Sequence, residues 1–161
     1  MKYFSMQELT SSATARRKGI DNTPDVQVKA NLTALVANVL DPLRELYGKP
    51  IVVTSGYRCP KLNRAVGGAA RSQHTTGKAA DIRCVSDSRA ENKRLFDLIR
   101  ENLPFDQLID EYGYDWVHVR FSDGKNRRQI LHVGRCLPNK HVFVRSDGRL
   151  RLRLITYPPE Q

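Results

Sequence analysis

From residue 28 onward, Val28, Leu32, Leu35, Val36, Val39, Leu43 and Leu46 recur at the three-to-four-residue period of an amphipathic helix, which ends at Gly48. Thr23-Pro24 reads as its N-cap and first turn, and Pro42 predicts a kink or a division, because proline lacks an amide donor and crowds the preceding turn. Ile51 to Thr54 is a short apolar run of strand type, and Ser55 to Pro60 is the loop that leaves it. Ala79 to Val85 predicts a second strand, Phe105 to Ile109 a third and Trp116 to Phe121 a fourth. Ser5 with Glu8 and Ser88 with Glu91 have capping-box spacing. The first opens a short helix near residue 6; the second opens one whose apolar face is Leu95, Phe96, Leu98 and Ile99, ending at Pro104. A single helical turn is expected over Asn63 to Gly68, and a further strand over Ile130 to Val133. Val142 to Ile155 reads as a β-hairpin about Asp147-Gly148 with an arginine face.

Period-two alternation in the fourth strand puts Val117, Val119 and Phe121 on the core side and Trp116, His118 and Arg120 on the other. The expected architecture is α+β: an antiparallel sheet with helices on one face and a ligand cleft on the other. The chain has 161 residues, 40% of them hydrophobic, enough for one domain with its own core. The expected division is a core over residues 1–122 and a basic, β-rich extension over 123–161 packed on the same domain.

Charge narrows the partners. The net charge of +10 favours polyanions. Ten Lys or Arg against three acids lie between Arg120 and Gln161, and such a tail suits nucleic acid, an acidic lipid surface or an anionic wall polymer alike. Arg16, Arg17 and Lys18 form a second, smaller cluster, read as solvated surface. Cys59, Cys84 and Cys136 are too few and scattered for a disulfide framework or a thiolate metal site, and are expected to be reduced. The first residues contain no apolar signal core, and no run is long enough to span a bilayer. The expectation is a cytoplasmic monomer with no transmembrane segment, for which a target outside the cell would be reached only after lysis-mediated release.

Candidate chemistry centres on Ser72 to Asp81. His74 and Asp81, joined through Gly77, together with His118, offer two imidazoles and a carboxylate, a donor set that zinc accepts with a fourth position open to water. Asp115, three residues before His118, is the candidate general base. Arg58 is the candidate clamp for a substrate carboxylate or a developing oxyanion.

The motifs Ser55-Gly-Tyr-Arg58, Ser72-x-His74-x-x-Gly77-x-Ala79-x-Asp81 and Trp116-x-His118-Val resemble the signature of the zinc D-alanyl-D-alanine carboxypeptidases. That family shares its fold with lysostaphin-type endopeptidases and the hedgehog signalling domain. The resemblance spans most of residues 3–122. It implies that His74, Asp81 and His118 bind zinc, that Asp115 is the catalytic carboxylate and Arg58 the substrate-binding arginine, and that Ser72 and Gln73 hydrogen-bond the substrate. Family substrates are peptidoglycan stem peptides, cut between terminal D-alanines or between L-alanine and D-glutamate. Asp115 departs from the Glu usual in the dipeptidase branch and is similar to the endopeptidases of phage lysins; Glu111 is the fallback base.

Two rivals belong to other classes. One is a zinc-containing module that binds wall or protein without turnover, as the hedgehog domain illustrates. The other is a basic nucleic-acid-binding protein, disfavoured because the tail has only Phe143 and Tyr157 as aromatics and no recognisable reading helix.

Overall fold

The structure, a computed structural model, describes residues 1–134 and the strands Val142–Ser146 and Arg149–Arg153. Helix α1 (Met6–Thr10) starts on the Ser5/Glu8 capping box. Helix α2 (Ala13–Lys18) is capped by Ser12 and stops at left-handed Gly19. The long amphipathic stretch is divided, as Pro42 requires: α3 (Val26–Leu35), a π-helical segment (Val36–Leu40) and α4 (Asp41–Tyr47) run on without a loop. The wider π turn falls immediately N-terminal to the proline. The N-cap of α3 is Asp25, whose carboxylate accepts from the Val28 amide, so the start lies two residues beyond Thr23. Helix α5 (Pro60–Ala65) begins three residues earlier than expected because Pro60 occupies its first turn.

Strands β1 (Ile51–Ser55), β2 (Ala79–Cys84), β3 (Gln107–Glu111), β4 (Trp116–Arg120) and β5 (Gln129–Val133) form one sheet in the order β1-β2-β4-β3-β5. All pairings are antiparallel except β3 with β5, which is parallel. The parallel edge strand departs from an all-antiparallel sheet, and it draws residues 129–133 into the main sheet. β3 lies two residues further on than its apolar run suggested, because Phe105 is a buried core residue ahead of the strand and Glu111 still pairs with Trp116. Strands β6 (Val142–Ser146) and β7 (Arg149–Arg153) pair antiparallel as expected; the Asp147-Gly148 turn, the side chains of this hairpin and Cys136 lie outside the described residues.

Val117 and Val119 from β4, Ala80 and Ile82 from β2 and Leu108 from β3 are fully buried in one cluster with Leu32, Leu35, Leu43, Leu95, Phe96 and Ile99. Helix α6 (Arg89–Asn102) supplies the last three and carries Asn92 on the same buried side. Asn92 accepts from the Cys84 amide and donates to the Tyr114 and Asp115 carbonyls, so it ties the β3–β4 turn to the core. Cys84 is buried and free, whereas Cys59 is half-buried and caps α5 through its sulfur.

A 3₁₀ turn (Gln73–Thr76) carries His74 and ends at Gly77, whose φ is 69°. A β-carbon there would meet the Val28 carbonyl oxygen at 2.8 Å, and Asn31 already fixes the neighbouring Thr76 carbonyl. Gly77→Ala is therefore expected to cost about 1–3 kcal/mol, read as a lower denaturant midpoint at unchanged m-value.

Candidate metal centre

His74 and Asp81, on a 3₁₀ turn and the strand that follows it, converge with His118 from β4. His118 sits in mid-β4 directly opposite Asp81 on β2 and Ile109 on β3, on the face away from Val117 and Val119. His74 Nδ1 donates to the Gly56 carbonyl at 2.7 Å, which fixes the ring so that Nε2 is the nitrogen turned toward Asp81. Gly56 packs so tightly on the Leu9 backbone that a β-carbon there would overlap the Leu9 carbonyl oxygen.

Three donor atoms make a small triangle. His74 Nε2 is 3.2 Å from Asp81 Oδ1 and 3.3 Å from His118 Nδ1, and His118 Nδ1 is 2.8 Å from Asp81 Oδ1. A tetrahedral zinc ion with bonds of about 2.0–2.1 Å holds its ligand atoms ~3.3 Å apart, so the triangle has the dimensions of one face of that tetrahedron. Both histidines are buried, and His118 Nε2 is sealed from solvent without a hydrogen-bond partner among the described residues. Burial alone would raise the Asp81 carboxyl, but the adjacent His74 and His118 rings outweigh it and hold the group well below the usual carboxylate range. The donor set and its spacing fit zinc.

Arg58 stands beside this cluster, with Nη1 4.0 Å from Asp81 Oδ2 and Nε buried without a hydrogen-bond partner. Burial pulls its guanidinium below the usual range, against the opposing pull of Asp81 and Glu111. Asn22 positions the loop: it donates to the Thr10 and Tyr57 carbonyls and accepts from the Cys59 amide. Only the long-range contact reveals this residue, which has no motif of its own. Ser72 is the backbone N-cap of the 3₁₀ turn, and Gln73 faces Gln107, itself bonded to Gln129.

The two candidate bases are placed differently. Asp115 is held by Arg89 of α6, at 2.7 Å from Nε and 2.6 Å from Nη2. Glu111 pairs with Trp116 across β3 and β4, on the His118 face of the sheet. Its carboxyl makes no hydrogen bond or ion pair among the described residues. Burial pushes it up to about 7, opposed by His118 and Arg58 and reinforced by Asp81 and Asp110. The turn between the strands runs through left-handed Tyr112, Gly113 and Tyr114, which carries the chain from the Glu111 side to the Arg89 side within four residues.

A mostly antiparallel sheet bearing a buried His-Asp-His donor triangle, with an arginine and a carboxylate beside it, defines a zinc metallopeptidase centre. A family profile described as Peptidase M15 matches residues 2–120, and the chain belongs to that family, of which the zinc D-alanyl-D-alanine carboxypeptidases are members. No curated protein matches the chain. Zinc is the metal of this family, and His74, Asp81 and His118 form a group among the described residues that could hold it.

Proposed function

We propose that the protein is a peptidoglycan peptidase that hydrolyses stem peptides, as a D-Ala-D-Ala carboxypeptidase or an L-Ala-D-Glu endopeptidase. The observation that carries this reading is the half-buried Arg58 guanidinium next to the metal triangle: it reaches Asp81 only at 4.0 Å and its Nε has no hydrogen-bond partner among the described residues, at the place where a peptide carboxylate would lie. Bound zinc supplies Lewis-acid polarisation and an acidified water. Glu111 takes the proton from the attacking water and returns it to the departing amine. Arg58 holds the substrate carboxylate and sets which bond meets the nucleophile, while Ser72 and Gln73 line the approach. What supports Glu111 over Asp115 as the base is its place on the His118 face and a carboxyl that makes no ion pair among the described residues, whereas Asp115 is already engaged by Arg89.

Mass spectrometry of muropeptides after incubation with the zinc-loaded protein tests the reading. Loss of a single D-alanine indicates the carboxypeptidase and release of a whole stem peptide the endopeptidase. Intact muropeptides at every zinc level would refute both and favour a binding module.

A further inference from the structure

Helices α2 and α5 pack on each other through a small cluster of Ala15, Ile20 and Leu62, separate from the main core. On and beside these two helices lie Arg16, Arg17 and Lys18 from α2, Lys61 and Arg64 from α5, and Arg71 from the following loop, all exposed. Neither segment contributes an acid: residues 11–20 and 58–72 contain no Asp or Glu. None of the six cations enters an ion pair among the described residues, and the one hydrogen bond from their side chains runs from Arg16 to the Ser11 hydroxyl. Elsewhere on the protein, cations such as Arg89, Lys93 and Arg127 are paired with carboxylates. Asp21 borders the group, lining a surface pocket with Arg16, and leaves a surplus of five positive charges that repel one another; an added polyanion would relieve that repulsion.

Position links this face to the metal centre. The start of α2 (Ser12, Ala13, Thr14) and the end of α5 (Val66) wall a cleft of about 330 Å³ whose inner side is Ser55, Tyr57 and Arg58. A polymer lying on the two helices would therefore pass along the cleft that leads to Arg58. Its chemistry follows from what the face lacks: the one exposed large apolar side chain there is Val66, and Tyr57 is buried, so no aromatic ring is offered to stack on a base. Four of the six cations are arginines, whose planar forks suit phosphate oxygens. We propose that the α2–α5 face is a docking surface for a linear phosphodiester polymer that carries no bases, such as a polyol-phosphate chain.

Fluorescence anisotropy with labelled poly(glycerol phosphate), run on the full chain at rising salt, tests this without turnover, so its failure would leave the hydrolysis reading standing. The comparison is with a variant carrying Arg16→Glu, Arg17→Glu, Lys61→Glu and Arg64→Glu, with retained zinc binding and circular dichroism as the control for folding. The expected result is an affinity loss of at least about tenfold and a shallower dependence of log K on log salt in the variant. Hydrolysis of a short soluble peptide stays unchanged. Unchanged polymer affinity in the variant would overturn the proposal. So would loss of all binding on reversing Arg145, Arg149, Arg151 and Arg153 alone, which would move the site to the tail. Single-stranded DNA of equal charge binding as tightly as the polymer would also overturn it, in favour of nucleic acid.

Discussion

His118→Ala is expected to lose zinc during dialysis and to leave no measurable peptide hydrolysis. Two ligand atoms remain, His74 Nε2 and Asp81 Oδ1, and the face of the tetrahedron is no longer closed. Changes one shell further out already cost 10- to 100-fold in metal affinity, so the loss here should exceed about 10²-fold. The thermal signature is separable from activity. A ligand that binds only the native state stabilises by roughly 4 kcal/mol at a thousand times its dissociation constant, so zinc should raise the wild-type melting temperature and leave that of the variant nearly unmoved. A variant that kept stoichiometric zinc through dialysis would remove His118 from the ligand set.

Glu111→Gln should behave in the opposite way toward the metal, retaining zinc while kcat falls by about 10²–10⁴, the usual contribution of a positioned general base. The wild-type rate should fall as pH drops through about 7, because burial raises this carboxyl to that value and the protonated acid cannot accept the water's proton. Stability follows the same sign in the metal-free protein. The raised carboxyl favours the protonated native state, so its stabilising contribution is complete below the ordinary glutamate range and lost as pH rises through about 7. Metal-free Glu111→Gln is accordingly expected to be more stable than wild type at pH 8, with the difference closing toward pH 4. Asp115→Asn breaks an exposed ion pair with Arg89, worth at most about 1 kcal/mol, and should leave kcat within a few-fold. If Asp115→Asn proves inactive and Glu111→Gln active, the roles are reversed.

Helices α1, α3, α4 and α6 and most strands were legible because their signals are local: the Ser5/Glu8 box, the Pro42 interruption and the alternation through Trp116–Phe121 act over a few residues, whereas α2 shows in the sequence only as a basic cluster. Misplaced boundaries have local causes too. Cys59 caps α5 through sulfur, a weak substitute for the usual hydroxyl, and Asp25 competes for the cap that Thr23-Pro24 suggested. The parallel pairing of β5 carried no sequence signal, since strand direction depends on how residues 121–128 return along the sheet; there Asp106 gathers Arg127 and Arg120 into ion pairs.

The base was the least legible part of the candidate site. Alternation puts His118 on the cleft face because it lies inside a regular strand, but Asp115 lies in a turn of left-handed residues where a period of two has no meaning. Its partner Arg89 is 26 residues away, and the helix bearing it is oriented by Leu95, Phe96 and Ile99 rather than by anything near Asp115.

The amino-acid sequence by itself determined the donor chemistry: two imidazoles and a carboxylate, spaced so that a loop and two strands can bring them together, with Arg58 ahead of them. Those are properties of residue type and short-range spacing. Tertiary structure alone decided which nitrogen of each histidine faces the cluster, through the Gly56 carbonyl and the β2–β4 register. It also decided which carboxylate shares the His118 face, because burial, strand register and a distant arginine act through space.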